Sequence, residues 1–231
     1  MGRKPIINDF FSEWNSNMAY VLGFWWADGN IARPVPNYRV EFVSKDKEHL
    51  ELIAKTIGID TPLSFRYGGY RLVFGRKQVW EDIQKHGGIP AKSLKATWPF
   101  VPSIFLKDFV RGYVDGDGSL YWNNVPLPEI PAISIVGTIP FLEGMALKIE
   151  KVTGIPAPRC YHYGKKVPFI RWTGLRAKVL AIWLYSDSTL YLKRKRDMAF
   201  KFFDWMPKRL HRTRKTITPK MRKHFKDLLP L

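Results

Sequence analysis

The stretch Phe109-Val-Arg-Gly-Tyr-Val-Asp-Gly-Asp-Gly118 decides the fold, because an earlier stretch, Tyr20-Val-Leu-Gly-Phe-Trp-Trp-Ala-Asp-Gly29, is a diverged copy of it. Both stretches are largely apolar, carry a glycine at the same internal position and end in Asp-Gly. A match of this kind at one constant offset indicates an internal repeat. The chain is therefore predicted to contain two copies of one structural unit.

Two further pairs of segments recur in the same order along the chain. Leu52-Ile-Ala-Lys-Thr-Ile-Gly-Ile59 resembles Lys148-Ile-Glu-Lys-Val-Thr-Gly-Ile155, and each is typical of an amphipathic helix that ends at a glycine. Tyr70-Arg-Leu-Val-Phe-Gly75 parallels Phe169-Ile-Arg-Trp-Thr-Gly174, and each alternates like a strand that precedes a helix. Each unit is predicted to run helix–strand–strand–helix–strand–strand–helix, which is an α+β fold.

Hydrophobic periodicity and turn residues place the elements of both units. Ser16 or Asn17 is predicted to cap a first helix that runs through Ala27 and is ended by Gly29. Gly68-Gly69 indicates a hairpin. The predicted domains are a first half over 1–98 with an N-terminal arm, a linker at 99–104, a second half over 105–206 and a basic tail at 207–231. The predicted strands lie near 30–33, 38–43, 63–67, 70–74, 119–122, 132–136, 159–163 and 169–173.

Composition narrows the function classes. The 231 residues include 38 Lys and Arg against 20 Asp and Glu, a net charge of +18, so a nucleic acid, an anionic membrane or an acidic protein is the expected partner. Membrane is disfavoured because no apolar run could span a bilayer. Cys160 is the only cysteine, which excludes intrachain disulfides and a zinc knuckle. No secretory signal is evident, so we expect an intracellular protein, of either a bacterial or phage cytoplasm or an organelle.

The two motif helices each carry a face without bulky side chains. Gly23 lies four residues before Ala27, and Gly112 lies four residues before Gly116, so each pair shares a helix face. These four residues are the predicted interface at which the two helices approach closely. Packing the helices in pseudo-twofold register would bring their Asp-Gly ends together.

That arrangement of Asp28 and Asp117 is electrostatically unfavourable by itself. Two carboxylates would lie close together at the negative ends of two helix dipoles. A divalent cation resolves the repulsion, and oxygen ligands favour Mg²⁺ over zinc. Metals between two carboxylates and a phosphate promote phosphodiester hydrolysis. A lone Asp-Gly at a helix end is usually only a turn, but two copies on matched helices favour function. Asp115, whose counterpart is Trp26, is expected to be a capping or interface residue.

Leu22-Gly-Phe-Trp-Trp-Ala-Asp-Gly29 and Val110-Arg-Gly-Tyr-Val-Asp-Gly-Asp-Gly118 resemble the two motifs of the LAGLIDADG homing endonucleases. The resemblance covers residues 15–205. It implies two pseudo-symmetric αββαββα halves, with the motif helices at the central interface and antiparallel sheets that form a DNA-binding saddle. Trp26 departs from the family pattern at a variable motif position.

The resemblance also implies the chemistry. Asp28 and Asp117 would be catalytic and would bind the metal, with Ala27 and Gly116 completing the site; the metal is expected to be Mg²⁺, with Mn²⁺ or Ca²⁺ able to substitute. The enzyme would be a site-specific, metal-dependent DNA endonuclease of intron homing that cuts both strands and leaves 3′ overhangs. The expected partner is double-stranded DNA with a long, pseudo-asymmetric target, bound by a monomer.

Alternation along the strands predicts which side chains face the DNA. Arginine can read guanine in the major groove and glutamate can accept from cytosine, whereas other basic residues contact phosphates. A solvated surface charge is the alternative for each of them. The base-contact candidates are Arg39, Glu41, Arg71, Arg171 and Thr173, and the phosphate candidates are Arg33, Arg66 and Arg159.

Basic residues after the last helix of each unit form a further group. Lys92 and Lys195 are candidate catalytic lysines that would offset developing charge, with ordinary phosphate contacts as the alternative. Lys193 is a rival for the second position and a candidate DNA contact. The tail is expected to bind the DNA backbone without sequence preference; its basic residues are Lys208, Arg209, Arg212, Arg214, Lys215, Lys220, Arg222 and Lys223.

Two alternatives share the same fold. Relatives of the family include RNA-splicing maturases, for which intron RNA would be a partner, and DNA-binding regulators without nuclease activity. Retention of both Asp28 and Asp117 argues against simple loss of cleavage. An intein is disfavoured, because the chain lacks an N-terminal Cys or Ser and ends in Leu229-Pro-Leu231.

Overall fold

The computed structural model describes residues 9–32, 38–124, 129–162, 164, 167–207 and 217–226. It divides into two compact units, the first comprising Met1–Lys95 and Pro99–Gly116 and the second comprising Ala96–Trp98 and Asp117–Leu231. Both motif helices, up to Gly116, therefore belong to the first unit. The architecture is the predicted α+β fold, with one antiparallel sheet in each unit.

The first unit begins with helix α1 (Ser16–Asp28). Its N-cap is Asn15, one residue before the predicted candidates, because the Asn15 Oδ1 accepts a hydrogen bond of 2.9 Å from the Met18 N–H. Every residue of α1 from Met18 to Trp26 is buried. A helix that is apolar all round belongs inside a core, so α1 is a central element of its unit.

The first sheet has the strand order β1-β2-β4-β3, from β1 (Gly29–Ile31), β2 (Arg39–Ser44), β3 (Ser64–Arg66) and β4 (Gly69–Gly75). Helices α2 (Lys47–Ile57) and α3 (Lys77–Lys85) follow the second and fourth strands. The side chains of Val40 and Phe42 are buried, and so are those of Leu72 and Phe74 on the neighbouring strand. One face of the sheet is therefore apolar and packed, while Arg39, Glu41 and Arg71 occupy the other face.

The predicted hairpin joins β3 to β4. Arg66 pairs with Gly69, so the two turn residues are Tyr67 and Gly68, with φ of 54° and 76°. Positive φ at both positions is the signature of a type I′ turn. Tyr67 adopts the left-handed region without the freedom of glycine, and its side chain is 95% exposed.

Helix α4 (Leu106–Asp117) leads into the second sheet, whose order is β5-β6-β7. The strands are β5 (Gly118–Asn123), β6 (Ile130–Val136) and β7 (Phe169–Thr173), and the helices of this unit are α5 (Ile139–Thr153), α6 (Leu175–Tyr185) and α7 (Lys193–Phe203). The strand predicted at 159–163 is reduced, in its described part, to one bridge between Tyr161 and Phe169. Pro156 and Pro158 precede it, and proline cannot donate to a ladder.

A short helix, α8 (Pro219–His224), docks the described part of the basic tail onto α5. Thr218 is its N-cap and Pro219 is its first residue. The Thr218 Oγ1 accepts a hydrogen bond from the Met221 N–H at 3.1 Å. The same hydroxyl donates to the Gly154 carbonyl at 2.8 Å. Met221 is fully buried and Phe225 is 5% exposed. This part of the tail is thus packed into the fold, while Lys208, Arg209, Arg212, Arg214 and Lys215 lie outside the described residues.

No helix among the described residues has the length and apolar character needed to cross a bilayer.

Candidate metal and nucleic-acid site

Helices α1 and α4 touch backbone to backbone. A Cβ atom added at Gly23 would lie 2.8 Å from the Phe109 carbonyl carbon, and one added at Gly112 would lie 2.8 Å from the Phe24 backbone nitrogen. Real Cβ atoms essentially never approach other atoms below 3.0 Å. Only glycine fits at either position, so the two residues paired by the repeat serve the same packing role.

The same close approach continues to the ends of the helices. A Cβ atom at Gly116 would collide with the Ala27 side chain and would lie 3.1 Å from the Asp28 Oδ2. Asp28 is the last residue of α1, and Asp117, the last residue of α4, follows Gly116 directly in the chain. Both aspartates are half-buried. A glycine at 116 thus leaves room for the Asp28 carboxylate where any side chain would crowd it.

The donor set at these helix ends fits a hard divalent cation. Each helix end carries an aspartate carboxylate and backbone carbonyl oxygens, and oxygen donors suit Mg²⁺, Mn²⁺ or Ca²⁺ better than zinc. Within the described part of the chain, no group of three or more His, Cys, Asp or Glu side chains could hold a metal ion.

Lys92 lies beside the end of α1. Its Nζ donates to the Gly29 carbonyl at 2.6 Å and to the Ala27 carbonyl at 3.4 Å, and it sits 5.1 Å from the centre of the Trp25 ring. The side chain is only 4% exposed. A buried ammonium at the C-terminal end of a helix complements the helix dipole, and here it binds the two carbonyls that flank Asp28. The chain turns sharply to place it, since Ala91 has φ of 55°.

The two candidates for the second lysine differ in environment. Lys195 is 4% exposed on α7. Lys193 is exposed, and its Nζ donates to Asp197 at 2.7 Å one helical turn away. The hydrogen bond to Asp197 raises the pKa of Lys193, so that side chain is a charged surface group. Of the two candidates, Lys195 is therefore the one that is buried to the same extent as Lys92.

Tyr20, Asp115 and His49 form a buried polar network that the sequence did not reveal as a unit. The Tyr20 hydroxyl donates to the Asp115 Oδ2 at 2.6 Å and lies 3.1 Å from the His49 Nε2. All three side chains are 5% exposed or less. Asp115, predicted to be a capping or interface residue, thus bonds from α4 to a tyrosine on α1. No local signal could reveal the pair, because the two residues lie 95 positions apart.

The predicted DNA-contact residues occupy different settings. Arg66, Arg159 and Thr173 are exposed, while Arg171 is half-buried with its Nη1 donating to the Tyr121 hydroxyl at 3.4 Å. Arg33 lies outside the described residues. Glu41, predicted to be an outward base acceptor, is 5% exposed, and its carboxylate accepts hydrogen bonds from both Arg39 and Arg71. That carboxylate is therefore covered and engaged within the protein.

Solved structures with the same fold include LAGLIDADG homing endonucleases. The I-LtrWI enzyme bound to target DNA superposes with a TM-score of 0.55 at 14% identity, covering 96% of this chain and 97% of the other. The I-SmaMI enzyme bound to cleaved DNA gives 0.56 at 10% identity, covering 94% and 96%. I-DmoI in complex with DNA and Ca gives 0.54 at 11% identity, covering 85% and 100%. No protein-family model matches the sequence, and no curated protein matches it either.

At these identities the likeness establishes the fold of the chain, which is that of the single-chain LAGLIDADG homing endonucleases.

Proposed function

We propose that the protein is a site-specific, double-strand DNA endonuclease that requires a divalent metal ion. The observation that carries the proposal is the pair of glycine-packed helices that end in Asp28 and Asp117. The neighbours of the same fold support it, because their structures were solved with target or cleaved DNA. The net charge of +18 supports a polyanionic partner.

The chain's own residues have distinct parts in this proposal. Asp28 and Asp117, with the carbonyls of Ala27 and Gly116, hold Mg²⁺, which Mn²⁺ or Ca²⁺ can replace; I-DmoI was solved with Mn and with Ca. When bound, such an ion polarises a phosphoryl oxygen and lowers the pKa of a water molecule. Lys92 fixes the carbonyls on both sides of Asp28, and its charge lies where negative charge develops during hydrolysis.

Lys195 is the proposed lysine of the second repeat, because it is buried whereas Lys193 is a solvated surface group. The exposed arginines of the two sheets bind the DNA, some to phosphates and some to base edges. The target is long and pseudo-asymmetric, because two diverged halves each read a different stretch, and one chain suffices for both strands. Hydrolysis on each strand leaves short 3′ overhangs and serves intron homing.

Cleavage selection from a randomised duplex library tests the proposal. The wild-type protein with Mg²⁺ should release double-strand cuts at one family of related sequences, and a chelator should abolish them. Sequencing both ends of the products reads the overhang directly. Binding to structured RNA without cutting of any duplex, or cutting that persists in the chelator, would contradict the proposal.

A further inference from the structure

A buried carboxylate lies under two arginines on the open face of the first sheet. The Glu41 Oε1 accepts a hydrogen bond from the Arg39 Nη2 at 3.3 Å on its own strand and one from the Arg71 Nη1 across on β4. The Arg39 side chain is 50% exposed, whereas that of Arg71 is 23% exposed. The carboxylate thus holds one arginine loosely at the surface and the other firmly within the sheet face.

Arg71 also has an aromatic neighbour. Its guanidinium carbon lies 5.6 Å from the centre of the Tyr67 ring, in the hairpin turn. Its Nε is buried and makes no hydrogen bond within the described part of the chain. The side chain is therefore held by the Glu41 carboxylate, with an aromatic ring beside it, and it leaves Nη2 and one Nη1 hydrogen as donors.

The geometry points to separate roles for two residues, an inference that rests on the proposed function. Arg71 is a specificity-determining residue that reads guanine in the major groove. Glu41 is the positioning residue that holds the Arg71 guanidinium in the orientation required for that contact. Arginine binds the O6 and N7 of guanine with two parallel N–H donors, which requires a defined plane for the guanidinium. A guanidinium fixed before binding loses little rotamer freedom when it docks.

The negative charge of Glu41 favours contact of Arg71 with a base over contact with a phosphate. Glu41 offsets one of the two positive charges beside it, so the cluster of Arg39, Glu41 and Arg71 carries a net charge of only +1. The carboxylate repels a nearby phosphate, which makes Arg71 a poor phosphate clamp. Base edges carry no net charge, so this penalty does not apply to a guanine contact.

A purely structural ion pair is the competing explanation. In that case Glu41 would add a cross-strand contact to the sheet and would not affect which DNA sequence is bound. Only the positioning role predicts that a change at Glu41 alters base preference. A measurement of stability alone cannot distinguish the two explanations. The discriminating variants are therefore conservative ones that keep the fold.

The experiment is a binding selection from a randomised duplex library without divalent metal, so that the readout does not depend on cleavage. The variants are Glu41→Gln, Arg71→Lys and the double variant. The matched control is Arg76→Lys, because Arg76 is an exposed arginine that lies just before α3, outside the strands of the sheet. Wild type should prefer guanine at one position by about tenfold or more. Arg71→Lys should abolish that preference, and Glu41→Gln should weaken it by about threefold or more at the same position.

The double variant tests whether Glu41 acts through Arg71. Glu41→Gln should cause no further loss of guanine preference once Arg71 is lysine, because coupled residues are not additive. Arg76→Lys should leave every base preference unchanged. Thermal unfolding of each variant verifies that it is folded under the conditions of the selection.

The inference is overturned if folded Glu41→Gln keeps the full preference, or if it changes positions that Arg71→Lys does not. Failure of wild type to bind any duplex DNA would instead overturn the proposed function. The two failures are thus told apart by the wild-type arm.

Discussion

Replacing Gly23 by alanine sets two physical effects of opposite sign against each other. Alanine is the better helix former, so helix propensity alone predicts stabilisation by about 0.5–1 kcal/mol. The new Cβ atom, however, would lie 2.8 Å from the Phe109 carbonyl carbon and 3.1 Å from its Cα, whereas ordinary contact begins at 3.4 Å. The obstacle is the backbone of α4, which no side-chain rotation can relieve.

The packing effect should win. Overpacking a core costs about 1–3 kcal/mol, and a clash with backbone belongs at the upper end of that range. After the propensity gain is subtracted, Gly23→Ala should destabilise the protein by about 1–2 kcal/mol. Urea unfolding followed by circular dichroism measures this. Asn17→Ala is the control, because it places alanine at an exposed position of the same helix and should change stability by less than about 0.5 kcal/mol.

The same substitution should also impair cleavage. Pushing α1 from α4 displaces Asp28 relative to Gly116, and a shift near 1 Å can cost about 100-fold in rate. DNA affinity should change little, since α1 carries none of the proposed DNA-binding arginines. A Gly23→Ala protein as stable as wild type, or more stable, would refute the close backbone packing of the two helices.

Three further predictions concern other parts of the molecule. Burial lowers the pKa of Lys178, opposed in part by the charge of Asp204, so the unfolded chain holds that proton more tightly, and the residue's contribution to stability should increase as pH rises toward the ordinary lysine pKa of 10.5. Urea unfolding should show wild type gaining stability relative to Lys178→Met as pH rises toward that value, and a constant difference would contradict the reasoning. Thr218→Ala should cost about 1 kcal/mol and expose the tail to limited proteolysis, while Thr218→Ser should behave like wild type; equal proteolysis of the two variants would argue against the cap. Affinity for duplex DNA should fall steeply with salt, and a flat dependence in fluorescence anisotropy would contradict phosphate binding.

The repeat could be predicted from the sequence because its two copies match residue by residue. The glycine-bearing face of each motif helix could be predicted because it depends on helix geometry alone. Residues four apart share a face, so Gly112 and Gly116 identify the interface side of α4 without knowledge of its neighbour. Helix ends are less well determined. Ser16 and Asn17 are plausible caps by residue type, but Asn15 is the residue whose side chain reaches the free N–H of Met18.

Contacts that depend on register or on distant segments could not be predicted. Alternation placed Glu41 on the open face of the sheet, but only the pairing of β2 with β4 brings Arg71 within reach of its carboxylate. The strand predicted near Arg159 is reduced to a single bridge for a local reason, because two prolines precede it and proline cannot donate to a strand ladder. The bond between Tyr20 and Asp115 joins two helices from different repeats and leaves no trace in either segment.

Strand-resolved cleavage of a selected target duplex tests the central claim most directly. Each DNA strand carries its own label, and wild type is compared with Asp28→Asn, Asp117→Asn and the exposed control Asp60→Asn in Mg²⁺. We expect Asp60→Asn to cut both strands like wild type, whereas either motif variant should lose double-strand cleavage and still bind the duplex. Full double-strand cleavage by Asp28→Asn or by Asp117→Asn would contradict it.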